Sequence, residues 1–404
     1  MKVMSPLSEG KAGRRSSIPS VVSRHWSSRA FLFAVGVVAG STILSGCGAT
    51  AEATERIEEI QSMVDGALAE PVGGIIALVR FPDGQTVLAS HGYAQAGRPI
   101  DGGNSFRIAS ITKTYIAALV LSLEEDGLLS VEDSVASHLP DLGIDERITI
   151  RQLLTHSSGL ADHWGSSLVA AENCAPCSFT PEDLVALIDV ARPTFEPGSR
   201  WSYSNTGYVI LGMIVEVVTG NDLASELRRR VLEPAGVTQS YLIGLETAPV
   251  EPVRGHWLID GTTQVEYPWS YENLMTRADA AGSLVSTAPD LLTFLDALFD
   301  GHIITGESLS EMLETVPRTA DGGDQFVRFG FGIHHPMDGD WWMHGGGLPG
   351  FSSVYFREPE TAATVVVLSN CSGCLDVDGT ELDVIQLGTQ LMAYALGDTA
   401  TQAG

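Results

Sequence analysis

The chain is nearly without lysine. Past the first dozen residues only Lys113 remains, and basic residues number 23 against 50 acidic ones, a formal net charge of −27. So acidic a surface repels phosphate backbones and anionic headgroups, which excludes nucleic acid as a partner and electrostatic adhesion to lipid. Cysteine is scarce, at five residues, and internal repeats and low-complexity tracts are missing. A solenoid and an extended disordered protein are therefore excluded. Apolar runs of membrane length are missing too: the longest candidate, residues 30–44, is too short for a comfortable span.

What is present at the start is an export signal. Lys2, Lys11, Arg14, Arg15, Arg24 and Arg29 make a basic front, the apolar run follows, and Leu44-Ser45-Gly46-Cys47 resembles a lipobox, in which Cys47 takes the lipid and becomes the first mature residue. An uncleaved anchor is the alternative, and Arg14-Arg15 leaves a twin-arginine export route open. Residues 1–46 are then signal peptide and 47–54 a short tether. The mature chain keeps 17 basic and 49 acidic residues, a charge of −32. It is expected at the cell envelope, lipid-anchored on the periplasmic or extracellular face. Its roughly 350 residues are enough to bury one substantial two-lobed core.

A chain that replaces almost every lysine but keeps Lys113 uses it for something arginine cannot do. Guanidinium stays charged, whereas a buried amine can lose its proton and act as a base. Lys113 closes the motif Ser110-Ile111-Thr112-Lys113. On a helix this spacing places both side chains on one face, so the amine reaches the hydroxyl and activates it as a nucleophile. Ser-x-x-Lys arises by chance about once in a chain of this length, so the motif alone is weak. Two others follow in order. Tyr203-Ser204-Asn205 sits in a polar break before an apolar run, and His344-Gly345-Gly346-Gly347 follows the strand-like Trp341-Trp342-Met343.

The ordered triplet resembles the serine β-lactamase and penicillin-binding superfamily, in its class C-like branch with D-alanyl-D-alanine carboxypeptidases, D-aminopeptidases and esterases. Leu153-Leu154-Thr155-His156-Ser157-Ser158-Gly159-Leu160, Phe195-Glu196-Pro197-Gly198 and Gly350-Phe351-Ser352-Ser353 extend the likeness over residues 55–396, with 397–404 left as a tail. The resemblance implies an acyl-enzyme on Ser110, Lys113 as base, Tyr203 as proton shuttle, Asn205 as a contact to lysine and substrate, and an oxyanion hole from the backbone N–H groups of Ser110 and Gly347. It implies no cofactor and no metal.

One departure matters. β-Lactamases carry Lys-Thr-Gly where this chain has His344-Gly345-Gly346, so the permanent cation and the hydroxyl that grip a substrate carboxylate are both gone. His344 is expected to donate to a carboxylate, more strongly when protonated. Asn370, closing the strand that ends Val367-Leu368-Ser369, matches a cleft-edge position and is expected near substrate. The substrate is then a small peptide, amide or ester, with peptidoglycan-derived compounds included, and penicillins are expected to be poor. A non-catalytic envelope protein that binds a peptide or partner in the same cleft is the alternative.

The remaining cysteines form two Cys-x-x-Cys pairs, Cys174 with Cys177 and Cys371 with Cys374. Outside the cell this is compatible with two local disulfides, with cross-linked lobes, or with a four-thiolate zinc site. His156, His163, His334 and His335 show no metal-ligand spacing, and Arg228-Arg229-Arg230 reads as a solvated helix face.

The apolar periodicity predicts a helix capped by Thr54, a hairpin from Ile75–Arg80 and Thr86–Ala89, and a mostly helical middle to about Phe299. Strands follow at Phe329–His334, Trp341–His344, Phe351–Phe356 and Thr364–Leu368, then a closing helix from Thr380 to Leu396. Strands at both ends with helices between predict an α+β fold: an antiparallel sheet from both termini, flanked by helices, with an inserted all-helical lobe.

Overall fold

The computed structural model describes residues 51–397 except for short segments, the longest being 167–177, 266–270 and 318–326. The expected signal and tether up to residue 50, with Cys47, and the Cys174–Cys177 pair lie outside the described residues.

The labelled elements are α1 (Ala51–Gly66), β1 (Gly74–Arg80), β2 (Thr86–Gln95), α2 (Thr112–Glu125), α3 (Asn205–Thr219), α4 (Ala288–Phe299), β3 (Trp342–Leu348), β4 (Phe351–Arg357), β5 (Thr364–Ser369) and α5 (Val384–Ala395). Strand order is β2-β1-β5-β4-β3, extended beyond β3 by His334–Pro336, Val327–Phe329 and Val316–Pro317, and beyond β2 by Arg98–Pro99. Every pairing in this sheet is antiparallel, and the two chain ends meet where Ile75 pairs with Ser369. The expected α+β architecture is the observed one.

The sheet is apolar on both faces because it is covered on both. Ile75, Ala77 and Val79 of β1 join Val365 and Val367 in a core closed by Ile60 and Val64 of α1 and Leu387 and Leu391 of α5. The alternate residues Ile76 and Leu78, with Val366 and Leu368, face the helical lobe. The two-residue period of a strand splits one hydrophobic run between two cores. Between sheet and lobe lies α2, whose residues from Thr112 to Leu123 are all buried. A helix apolar around its circumference belongs inside a protein, and here it carries Lys113 inside with it.

Four expectations shift. Thr54 is not the cap of α1, because residues 51–53 are already helical. The closing helix starts at Val384, where Asp383 accepts from the N–H groups of Ile385 and Gln386 at 2.8 and 3.1 Å. The expected strand Phe329–His334 is two short strands, broken at Gly330–Ile333. Gly332 has φ +61° there, and its carbonyl accepts from Thr114 Oγ1 at 2.7 Å. A side chain at Gly332 would collide with the Lys113 carbonyl, so the turn is fitted to α2. The arginine run is only partly a solvated face: Arg229 is exposed, but Arg228 pairs with Glu246, Arg229 with Glu226, and the largely covered Arg230 with Glu226 and Asp126.

Cys371 and Cys374 form a disulfide. That removes both thiolates from any four-cysteine zinc site. The closed loop is tied into its surroundings, since Leu382 N–H donates to the Cys374 carbonyl at 2.7 Å and Gly350 N–H to Ser372 Oγ at 2.8 Å.

Candidate active site

Ser110 lies in a single 3-10 turn, Ala109–Ile111, that runs straight into α2. Ala109 has φ +50°, a left-handed conformation that costs free energy for a residue with a Cβ. Thr112 holds the turn closed: its Oγ1 donates to the Ala109 carbonyl at 2.6 Å and accepts from Leu284 N–H at 3.1 Å. The nucleophile candidate therefore sits on a strained, pinned corner at the helix start, where free N–H groups favour developing negative charge.

Lys113 is fully buried. Its Nζ donates to Ser110 Oγ at 3.2 Å, Asn205 Oδ1 at 2.9 Å and the Ala281 carbonyl at 2.6 Å. The amine also lies 4.9 Å from the Tyr203 ring and 5.4 Å from that of Tyr208. Burial pulls its pKa down from 10.5 to about 7, against the opposing pull of the Asp162 carboxylate. At neutral pH a large fraction of the amine is thus unprotonated and able to take the serine proton. The Tyr203 hydroxyl is hydrogen-bonded to Ser110, and burial pushes its pKa up, so it remains a neutral phenol that both accepts and donates.

Asn205 is the first residue of α3. Asp162 caps it, accepting from Asn205 N–H at 3.0 Å and from Nδ2 at 3.4 Å. That contact leaves Asn205 Oδ1 facing the lysine. His156, left-handed at φ +58°, accepts from Ser204 N–H through Nδ1 at 3.3 Å, with its ring 4.3 Å from Tyr203. The Leu153–Leu160 block thus acts as a scaffold for the tyrosine segment.

The strand β3 closes the other side. Its Gly346 packs so tightly that a Cβ would lie 2.5 Å from Ser353 Oγ and collide with the Ile108 carbonyl. Gly347 is exposed, and a Cβ added there would meet no heavy atom within 4 Å, so the strand is open to a ligand at this position.

His344 and Asn370 differ from expectation. His344 is buried, its Nδ1–H donates to the Gly345 carbonyl at 2.7 Å, and its Nε2 is enclosed without a hydrogen-bond partner. Burial, with Lys113 adding to it, lowers its pKa to about 3. It is therefore a neutral acceptor at working pH, with its one N–H spent on Gly345 and none left to donate to a carboxylate as its place in the motif led us to expect. Asn370 is wholly buried: its Oδ1 accepts from Gly74 N–H at 2.6 Å, and its Nδ2 donates to the carbonyls of Tyr93, Ala94 and Arg254. Its amide is committed to joining β1, β2 and the Arg254 segment and has nothing left for substrate.

Sequence reasoning missed three contributors. The Ala281 carbonyl is a backbone group and leaves no residue-type signal. Asp279, left-handed at φ +43°, shapes the turn that delivers it, accepting from Gly282 and Ser283 N–H at 3.1 and 2.9 Å. Asp162 follows the recognised Leu153–Leu160 block by two residues and was not singled out.

Residues 64–388 match the family model described as Beta-lactamase, and the chain belongs to that family. It is 28% identical over 312 residues to penicillin-binding protein 4* of Bacillus subtilis (strain 168), covering 71% of this chain and 66% of that protein. It is 28% identical over 337 residues to a D-aminopeptidase of Cereibacter sphaeroides (strain ATCC 17029 / ATH 2.4.9), covering 81% and 60%. The chain thus spans less than two thirds of these curated relatives. Among solved structures, D-amino acid amidase from Ochrobactrum anthropi SV3 in complex with L-phenylalanine amide matches with TM-score 0.72 and 30% identity, covering 84% of this chain and 98% of that one. The chain is linked at family level to serine hydrolases of the penicillin-binding and D-aminopeptidase group.

Proposed function

We propose that the protein is an exported, lipid-anchored serine hydrolase that works through an acyl-enzyme on Ser110, with small amides, peptides and esters as substrates and penicillins as poor ones. The observation that carries this is the single surviving lysine, buried, lowered to about pH 7 and donating to Ser110 Oγ. In the sequence of events Lys113 accepts the Ser110 proton as Oγ attacks the carbonyl carbon. The backbone N–H groups of Ser110 and Gly347 take the oxyanion; as the bond from the acyl carbon to the leaving group breaks, Tyr203 passes its proton to the leaving group and is reprotonated by the proton that Lys113 took from Ser110. Water then enters, gives its proton back along the same path and releases the acid. The likeness to D-aminopeptidases and to D-amino acid amidase supports amide cleavage over capture of a carboxylate-terminated peptide.

A fluorophosphonate probe tests the nucleophile: the mature protein should be labelled on Ser110 and Ser110→Ala should not. Equal labelling of both ends the assignment of Ser110, and no labelling of the mature protein leaves the non-catalytic binding role. Intact mass tests the compartment and the cysteines together. The mature chain should begin at a lipidated Cys47, and after delipidation its mass should rise by about four protons on reduction, two for each disulfide. An unmodified amino terminus upstream of Cys47 contradicts the lipobox.

A further inference from the structure

A neutral amine has two N–H groups and one lone pair, and the direction of the lone pair decides whether Lys113 can take the Ser110 proton. Of its three partners, Asn205 Oδ1 and the Ala281 carbonyl can only accept, at 2.9 and 2.6 Å, while Ser110 Oγ, at 3.2 Å, has a proton to give. When the two acceptors each hold an N–H, the lone pair is left facing the serine. Both are therefore orienting groups, and the closer one is a backbone carbonyl whose place is set by a turn.

That turn is Asp279–Ala281. Asp279 stands at φ +43°, its carbonyl accepts from Gly282 and Ser283 N–H at 3.1 and 2.9 Å, and its Oδ1 accepts from Ala280 N–H at 2.7 Å. The turn is pressed against α3, the helix that carries Asn205: a Cβ added at Gly212 would lie 2.9 Å from Ala280 Cβ and 3.6 Å from Asp279 Oδ1. It then runs into Leu284, whose N–H donates to Thr112 Oγ1 at 3.1 Å. Both orienting groups and the serine corner are thus fastened to one packed unit. Glycine would adopt a positive φ without steric cost, yet the position holds a buried carboxylate, whose pKa burial raises to about 6. What aspartate adds over glycine is the Oδ1 contact that fixes the turn just ahead of the orienting carbonyl.

We propose that the Asp279 side chain is a positioning residue for the general base: by holding the Asp279–Ala281 turn it keeps the Ala281 carbonyl on the Lys113 amine and so aims the lone pair at Ser110. This rests on Ser110 being the nucleophile and Lys113 its base. Asp279 acts through Ala281 and is not itself a catalytic residue. Loss of its grip has two consequences. The lone pair is no longer confined to the serine, so the rate falls. The protonated amine also loses an acceptor, which stabilises an ammonium more than an amine, so the amine titrates below its present value of about 7. A variant that is merely less stable loses active protein but keeps the midpoint of its pH profile.

The experiment compares the mature chain with Asp279→Gly, Asp279→Ala and Asp279→Asn, by melting curves and by the pH profile of kcat/KM on p-nitrophenyl acetate. Asp279→Gly keeps the backbone conformation and removes Oδ1. It should fold, lose about ten- to hundredfold in kcat/KM, and show the acid limb of its profile moved down by about one pH unit. Asp279→Ala should do the same with a lower melting temperature, because its Cβ is strained at positive φ. Asp279→Asn keeps an oxygen on the Ala280 N–H and tolerates the left-handed backbone, so it should recover most of the rate and a midpoint near 7. The other titratable neighbours of the amine are Asp162, His156, His163, Tyr203 and His344, and those of Asp279 are Glu216 and Glu182. None is altered in these variants, and burial holds the histidines below the range of the limb being read. An unmoved midpoint in Asp279→Gly, or an Asp279→Asn no better than Asp279→Gly, overturns the assignment. Ester turnover by Ser110→Ala equal to that of the wild type overturns the nucleophile and this inference together.

Discussion

Replacing Lys113 with arginine should lower turnover by about a thousandfold or more, the range expected when a general base is lost. Guanidinium keeps its charge, so the buried position would hold a permanent cation against Ser110 where the wild type holds an amine lowered to about 7. The wild-type kcat/KM on a neutral ester should rise with pH through about 7 and then level off, since only the unprotonated amine takes the serine proton. Stability should carry the same signature. The folded-state pKa lies below the unfolded 10.5, so between about 7 and 10.5 the unfolded chain binds more protons, and stability must rise with pH across that window. Lys113→Met removes the titrating group. It should be inactive, gain up to a few kcal/mol at pH 7 by relief of the burial penalty, and lose the rise seen in the wild type. Melting curves of wild type and Lys113→Met from pH 6 to 10 check this. Parallel pH dependence in the two proteins, or near-normal turnover in Lys113→Arg, contradicts the role given to the amine.

That role could be read from the sequence because it is a statement about residue types: one lysine kept in a lysine-poor chain, three residues after a serine. The sheet was also legible, since Ile75–Val79 and Val365–Leu368 are apolar at every position, which is what a doubly covered strand requires. What escaped was geometry that residue type does not encode. Nothing in the letters says that Gly330-Phe331-Gly332 breaks a strand to fit over Lys113. Asn370 and His344 stand at their motif positions, yet burial settles what each does: four backbone partners occupy the asparagine, and desolvation keeps the histidine neutral. Asp162 went unread because an exposed aspartate is an ordinary surface residue until the fold places it beside Asn205.

Gly346→Ala should damage the fold and the candidate oxyanion pair together. An added Cβ would collide with the Ile108 carbonyl and lie 2.5 Å from Ser353 Oγ and 3.1 Å from the Ala109 Cβ. None of these can yield cheaply. Ile108 and Ala109 lead into the strained Ser110 turn, and Ser353 Oγ is already donating to that same Ile108 carbonyl at 2.9 Å. Either β3 moves off β4, where Gly346 pairs with Ser353, or the serine turn moves off β3. Both separate the Gly347 N–H from the Ser110 N–H, the pair proposed to hold the oxyanion. Overpacking of this kind costs about 1–3 kcal/mol, and displacing one oxyanion donor costs about a hundredfold in kcat. The variant should therefore melt several degrees lower and lose about two orders of magnitude in kcat on p-nitrophenyl acetate, with a smaller change in KM. Gly347→Ala gives the thermal comparison: its Cβ meets nothing within 4 Å, and its melting temperature should stay near that of the parent. If Gly346→Ala melts and turns over like the wild type, the serine turn and the glycine strand are not in the contact described, and the oxyanion pair loses its structural basis.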